Sequence, residues 1–379
     1  MSNMNNKVLG LVFPNSFDIL VSRMVKLRSM ASLPFASRYR LVDFVLSSMS
    51  NCGIDNVYIL PNTNYLSLMD HLGTGREWDL ARKNGGLHIF PPYAESGNKV
   101  APGRVGTLHN ILRLLKDSTE KYVVMADTNI AVNFDFCAMI AEHEASGADV
   151  TIAYNEQALP ESALSNDDVD KDLYYSFDIK EGRVTDIHVN PTKGVQNLSM
   201  NYFVIERETL IGLVQEAFSR GQTHFIRDLL WGKRNELNIH GYKYEGYASR
   251  IWSITSYFEE NMKLLEDENL DALFSGNTIY TKVRDDNPTR YISGAKVANA
   301  MIADGCVIEG EVENCVIFRG VKIAKGAKVR NCILMQDTVV EEDATLDYII
   351  TDKNVTVTAG KTLKGTDTYP VYIVKHGRV

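Results

Sequence analysis

The sequence predicts an α/β protein in two parts, a Rossmann-type parallel-sheet domain followed by a hexapeptide β-helix. Three observations predict it. Short runs rich in Val and Ile alternate with amphipathic segments through the first two-thirds of the chain. An acidic stretch at 266–271 and a linker-like segment at 276–288 interrupt that alternation. Beyond Tyr291, apolar residues recur every six positions, a period that fits neither a helix nor a hairpin sheet. The expected division is a first domain at 1–270, a linker at 271–290 and a β-helix at 291–379.

In the first domain, residues 8–13, 57–60, 122–125 and 150–154 read as buried strands. Leu108, Ile111, Leu112 and Leu115 fall at helical spacing between two of them. So do Phe136, Met139, Ile140 and His143, in a helix opened by Asp135 as N-cap and closed by Gly147. Strand–helix alternation implies a parallel sheet with helices on both faces, and ligands on such sheets sit at the carboxyl ends of the strands. A last helix carries Ile254, Tyr257, Phe258, Met262 and Leu265 on one face.

In the second part the six-residue sets are Ile302 and Ile308; Ile317, Ile323 and Val329; Leu334, Val340 and Leu346; and Ile349 and Val355. The register slips between sets, and Gly305, Gly310, Gly320 and Gly326 punctuate them. Short strands that turn corners and stack coil on coil explain this pattern. An antiparallel sandwich of short strands is the alternative.

Composition narrows the function. A net charge of −8 over 379 residues lacks the basic footprint of a nucleic-acid binder. No apolar run approaches the ~20 residues of a membrane span. The apolar run at the N-terminus is short and ends at Pro14, unlike a signal peptide, so a cytoplasmic location is expected. Cys52, Cys137, Cys306, Cys315 and Cys332 form no C-x-x-C pair. They read as small buried hydrophobes in a reducing compartment, with a redox or metal site as the other reading.

Several stretches carry a family resemblance. Arg38-Tyr39-Arg40-Leu41-Val42-Asp43-Phe44 resembles K-[FY]-R-[IL]-I-D-F of the ADP-glucose pyrophosphorylases. Trp78-Asp79-Leu80, followed by Gly85-Gly86 and Pro91-Pro92, resembles a loop of the same enzymes. Arg104-x-Gly106-Thr107 resembles R-G-T-A, Asn190-Pro191 stands where E-K-P is expected, and Tyr257-Phe258-x-x-Asn261 resembles Y-W-x-A-N. The resemblance covers nearly the whole chain. It implies a nucleotidyltransferase-like domain followed by a left-handed β-helix. Within the family the chain is most similar to the regulatory D-type subunit that accompanies a catalytic C-type subunit in Gram-positive bacteria.

That likeness rests partly on what is missing. Nucleotidyl transfer joins a sugar-phosphate oxygen to the α-phosphorus of ATP and expels pyrophosphate, so the protein must position reactants and neutralise charge. The family's glycine-rich phosphate loop is replaced by Phe13-Pro14-Asn15-Ser16-Phe17-Asp18, where Pro14 lacks an N–H and side chains crowd the backbone. By the resemblance, Met30 stands for a phosphate-facing lysine, Asn129 for a metal aspartate, Asn190 for the sugar-phosphate lysine and Arg250 for the second metal aspartate. Asp127 restores a metal ligand if the alignment slips by two. Arg250 could instead act on phosphate as an arginine finger does.

No catalytic residue and no metal site is therefore expected, with Mg²⁺ belonging to the catalytic partner. Arg104, Gly106 and Ser199 are expected remnants of substrate binding. Arg23, Arg28, Arg38 and Arg40 form a basic cluster that reads as an anionic effector site between subunits, or as a solvated, paired face. Asp70-His71 reads as a surface pair on a helix. The resemblance implies a partner-dependent regulatory role in glycogen synthesis and a heterotetramer with the C-type subunit. An active glucose-1-phosphate adenylyltransferase with an altered site is the alternative. A hexapeptide acyltransferase is the distant third, since the repeats hold no histidine before His376.

Overall fold

The computed structural model describes residues 8–92, 103–159, 174–191 and 194–379. Four strands at one side of the domain's nine-stranded sheet run parallel, in the order Gly86–Ile89, Asn56–Ile59, Val8–Phe13, Tyr122–Asp127. The inner three are short and almost wholly buried, as strands covered on both faces must be, while Gly86–Ile89 at the edge is partly exposed. The next strand, Val195–Glu206, runs against its neighbours Tyr122–Asp127 and Val150–Ala158. The sheet is therefore mixed. Ile239–Lys243 lies parallel to Val150–Ala158, and the hairpin of Tyr175–Lys180 and Arg183–Val189 closes the far side.

Pairing of Val195–Glu206 with Val150–Ala158 is irregular between Ser199 and Phe203, where Asn201 has a φ of 56°. Such a bulge bends the strand and re-aims its side chains. One apolar cluster fills each face of the sheet. The helix Phe136–Ser146 starts at Asp135, whose carboxylate accepts the Ala138 N–H at 3.0 Å, and ends at left-handed Gly147. The helical stretch around residues 108–115 is two helices, Gly103–Asn110 and Leu112–Asp117, broken at Ile111.

In the second part, Val297, Val312, Val329, Leu346 and Leu363 stack in parallel register, one per coil. The register slip has a local cause. The steps from Val312 to Ile317 and from Val329 to Leu334 are one residue short of a hexapeptide, and each contains an asparagine with positive φ, Asn314 at 52° and Asn331 at 49°. Asparagine tolerates that left-handed corner better than a branched residue would. The coil interior is lined by Ile308, Ile317, Ile323, Leu334 and their neighbours.

The two parts share a third apolar cluster. Met24, Met30, Phe35, Tyr257 and Phe258 of the first part belong to it with Val316, Phe318, Ile333, Met335 and Tyr372 of the second.

The cysteine reading needs correction at one pair. Cys306, Cys315 and Cys332 are free and buried, but Cys52 and Cys137 form a disulfide. Cys52 caps the helix Leu41–Asn51 and Cys137 lies in the first turn of Phe136–Ser146. A separation of 85 residues left the pairing without a sequence signal. Among the described residues, no helix is long and apolar enough to cross a membrane.

Candidate functional site

The carboxyl ends of Val8–Phe13 and Tyr122–Asp127 open into a pocket of about 310 Å³. It is lined by Phe13, Asn15, Ser16, Asn62, Arg104, Thr107, Asp127, Tyr175, Asn201 and Phe225, among others. The loop after the first strand is held by its own side chains rather than shaped as a cradle. Asn15 donates to Asp18 at 2.6 Å and to the Thr63 carbonyl at 3.0 Å, and accepts the Asn62 N–H at 2.8 Å. Asp18 in turn accepts the Met30 N–H at 2.6 Å. Burial pushes the Asp18 carboxyl up to about 6, against the opposing pull of Asn15 and the Met30 N–H.

Asp127 is the one carboxylate among the pocket's lining residues, and it is engaged. Arg104 reaches its two oxygens at 2.5 and 2.6 Å, and the Ser16 hydroxyl donates to it at 2.7 Å. The Arg104 guanidinium also sits 4.5 Å from the centre of the Phe13 ring. Burial pushes the Asp127 carboxyl upward, while Arg104 and Ser16 work the other way. The pocket thus presents a carboxylate already neutralised by a guanidinium.

Arg250 lies on the two-residue strand Ser249–Arg250, opposite Ile130. It is buried, donating to the Ser199 carbonyl at 2.6 Å and to Asn155 Oδ1 at 2.7 Å, with its guanidinium 5.1 Å from the Trp252 ring centre. Burial lowers its pKa to about 10. Close by in the chain, the Asn129 carbonyl accepts the Ile251 N–H at 2.9 Å, while its buried Oδ1 has no partner.

These residues do not fit Mg²⁺, which needs several oxygen ligands with anionic charge among them. Asn129 supplies one neutral oxygen, Arg250 a buried positive charge, and Asp127 is bound to Arg104. Among the described residues, only Asp178, Asp186 and His188 group as a metal cluster would, and they sit on a hairpin away from these strand ends.

The other expected positions are dispersed. Met30 is buried in the cluster between the two parts. Asn190 turns the chain with a φ of 46°, and its Oδ1 accepts the Tyr174 N–H at 3.0 Å. Gly106 is buried inside the helix Gly103–Asn110, and Ser199 gives its carbonyl to Arg250. Of Arg104, Gly106 and Ser199, Arg104 alone lines the pocket.

A second concavity, about 350 Å³, lies between the two parts. Arg38 and Arg40 enter it from the first part, Lys282 and Arg284 from the linker, and Arg319 and Lys353 from the β-helix. Arg23 is exposed elsewhere, and Arg28 is buried against Asp352, so the predicted cluster of four divides. Burial, then the charge of neighbouring arginines, lowers the Lys353 pKa to about 7. Burial brings Arg40 to about 10 despite Asp43 beside it. The four basic residues missed from the sequence come from the linker, Lys282 and Arg284, and from two separate coils, Arg319 and Lys353, and a lone charge at such places carries no distinctive spacing.

Asp70-His71 is not a surface pair. Asp70 is exposed, but His71 is buried and hydrogen-bonded to Asp43 at 2.6 Å, because the short helix Leu66–Leu72 turns that face inward. Burial lowers the His71 pKa, with Asp43 opposing.

Residues 26–162 match the Nucleotidyl transferase family, and residues 283–369 match the GlmU-like, C-terminal hexapeptide family. A relative from Bacillus subtilis (strain 168), the "Glycogen biosynthesis protein GlgD", is 33% identical over 98% of this chain and 96% of its own length. A protein of the same name from Geobacillus stearothermophilus is 37% identical over 86% of this chain and 84% of its own. A "Glucose-1-phosphate adenylyltransferase" from Bacillus cytotoxicus (strain DSM 22905 / CIP 110041 / 391-98 / NVH 391-98) is 28% identical over 94% of this chain and 95% of its own.

Proposed function

The chain belongs to the family of the glycogen biosynthesis protein GlgD, and on that footing we propose that it is a regulatory subunit of ADP-glucose pyrophosphorylase without efficient catalysis of its own. Its partner is a C-type subunit, a relative of the glucose-1-phosphate adenylyltransferases, which makes ADP-glucose from ATP and glucose-1-phosphate with Mg²⁺. A heterotetramer is the assembly proposed. The observation that carries the reading is the Arg104–Asp127 pair, with both Asp127 oxygens taken. A triphosphate would have to compete with a buried ion pair whose disruption costs roughly 3–5 kcal/mol. The loop after the first strand, tied by Asn15 and Asp18, offers no glycine cradle to offset that cost, and Asn129 and Arg250 do not fit a metal.

The test is pyrophosphorolysis of ADP-glucose by the purified chain, alone and with the C-type subunit. The expected result is a rate alone at least a hundredfold below the ~10 per second of an ordinary enzyme, and a changed rate or substrate response in the partner. An ordinary rate from the chain alone would establish the other reading, an active adenylyltransferase with an altered site.

An anionic effector is proposed for the interdomain cleft. Arg38, Arg40, Arg319 and Lys353 converge there, and no carboxylate pairs with Arg38, Arg319 or the Lys353 amine among the described residues. Calorimetric titration with inorganic phosphate should show binding that weakens about tenfold or more in Arg319→Ala. Unchanged affinity would move the effector elsewhere.

A further inference from the structure

Lys353 has no use in the reading above beyond its charge, and as a charge it is poorly kept. Its side chain is mostly withdrawn into the cleft, where the like charges of Arg40, Arg28 and Lys375 act on it. Asp352 is the acid among the largest influences on it, and that carboxylate is committed to Arg28 and to the Tyr372 hydroxyl. No hydrogen bond or ion pair holds the Lys353 Nζ among the described residues. Across the cleft, Arg319 presents a buried Nε–H that has no acceptor. Asp70 is the one carboxylate among the cleft's lining residues and it pairs with Lys282, so Arg319 and Lys353 are left without a negative, accepting group, and the positive charge of the Lys353 amine is disfavoured there.

We propose that Lys353 is a carbamylation site, reacting reversibly with dissolved carbon dioxide to place an anionic carbamate in the cleft that Arg40 and Arg319 also line. The Nζ lone pair attacks the carbon of CO₂ and an N–C bond forms. One C=O π pair moves onto oxygen, and one N–H proton passes to water or buffer. No oxidant and no further reactant is needed. The product replaces a disfavoured cation by an anion in a cleft lined by guanidinium groups, and it supplies an acceptor for unpartnered donors such as Arg319 Nε.

The chemistry requires an unprotonated amine. With burial and the neighbouring arginines holding its pKa at about 7, Lys353 is about nine-tenths free amine at pH 8. An ordinary lysine is free to well under 1%, so the advantage is on the order of 300-fold. Carbamate formation should accordingly rise as pH passes upward through 7. Binding of a free anion should do the reverse, because it favours the protonated lysine. The inference does not depend on a diffusible effector, and the two are read separately.

The full chain, equilibrated at pH 8 with ¹³C-bicarbonate, should show a protein-bound carbamate resonance by ¹³C NMR. It should be lost in Lys353→Arg and kept in Lys116→Arg, a control on an exposed lysine. Trapping the wild-type chain by O-alkylation with a trialkyloxonium salt, followed by peptide mass spectrometry, locates the modification without any variant. Modification at residue 353 supports the proposal even if Lys353→Arg is unstable. Identical carbamate signals in wild type and a folded Lys353→Arg, or a trapped peptide other than the one containing residue 353, would overturn it.

Discussion

Arg28 and Asp352 form an ion pair across the seam between the two parts, with side chains only 4% and 3% exposed. Tyr372 donates to the second Asp352 oxygen at 2.5 Å, and Arg28 also reaches the Met335 sulfur at 3.8 Å. Around this polar centre the seam is apolar, built from Tyr257 and Phe258 on one side and Ile333, Met335 and Tyr372 on the other.

Arg28→Ala should therefore lower stability by about 3–5 kcal/mol, because Asp352 is left buried without its countercharge. Urea unfolding followed by tryptophan fluorescence measures it. The double variant Arg28→Met with Asp352→Leu should recover most of the loss, since it removes both charges together. A loss below about 1 kcal/mol in Arg28→Ala would show that the pair is solvated and not part of the seam.

Asp18 predicts a specific pH dependence. Its carboxyl is raised by burial to about 6 in the folded protein, from an ordinary value of 3.8. The folded state thus holds this proton more tightly than the unfolded state. Its contribution is favourable at low pH and is lost as pH rises from about 4 through 6, by about 3 kcal/mol. Asp18→Asn should flatten the stability profile across that window. Urea midpoints at pH 4.5, 5.5 and 7 measure it, and an unchanged slope would contradict the burial argument.

At the pocket, Asp127→Asn should release Arg104 from its carboxylate. A guanidinium freed beside Ser16 and Thr107 is an anion site, so pyrophosphate should bind about tenfold tighter or more. Adding Arg104→Ala should abolish the gain. Calorimetry on the three proteins decides it, and equal affinities throughout would mean that phosphate does not meet Arg104 in this pocket.

Asn129→Asp together with Arg250→Asp should create affinity for Mg²⁺, because two carboxylates then replace a neutral amide and a buried cation. The readout is a Mg²⁺-dependent rise of several degrees in melting temperature. Turnover should stay low while Arg104 still occupies Asp127. Arg250→Ala alone should cost about 3 kcal/mol, since it abandons the Ser199 carbonyl and Asn155 Oδ1 inside the protein. A double variant indifferent to Mg²⁺ would show that Asn129 and Arg250 do not face a common point.

What the sequence revealed depended on range. Strands such as Val8–Phe13 announce themselves through five or six neighbouring residues, and the β-helix through a period that survives single slips. The substituted positions Met30, Asn129 and Arg250 were legible only through the family resemblance, because a lone Met, Asn or Arg carries no pattern. The pairings that define the site were not legible. Arg104 meets Asp127 after an intervening helix, and His71 meets Asp43 from a different helix. The cleft draws on positions from Arg38 to Lys353, so no window of sequence contains it. Charge clustering in sequence even pointed the wrong way for Arg28, whose partner lies 324 residues on.

The asparagines at the coil corners have a consequence for how this molecule can change length. Asn299 donates to Asn314 at 2.9 Å, Asn314 to Asn331 at 3.4 Å, and Asn331 to Asp347 at 3.0 Å, one rung per coil. A single inserted or deleted residue would rotate every later rung out of line and turn an inward Val or Leu toward water. Loss or gain of a whole coil leaves each remaining rung with a neighbour. Growth or shortening of this half of the chain is thereby quantised. Viable length variants should differ by complete turns of the coil, and frame-sized indels inside one turn should be purged.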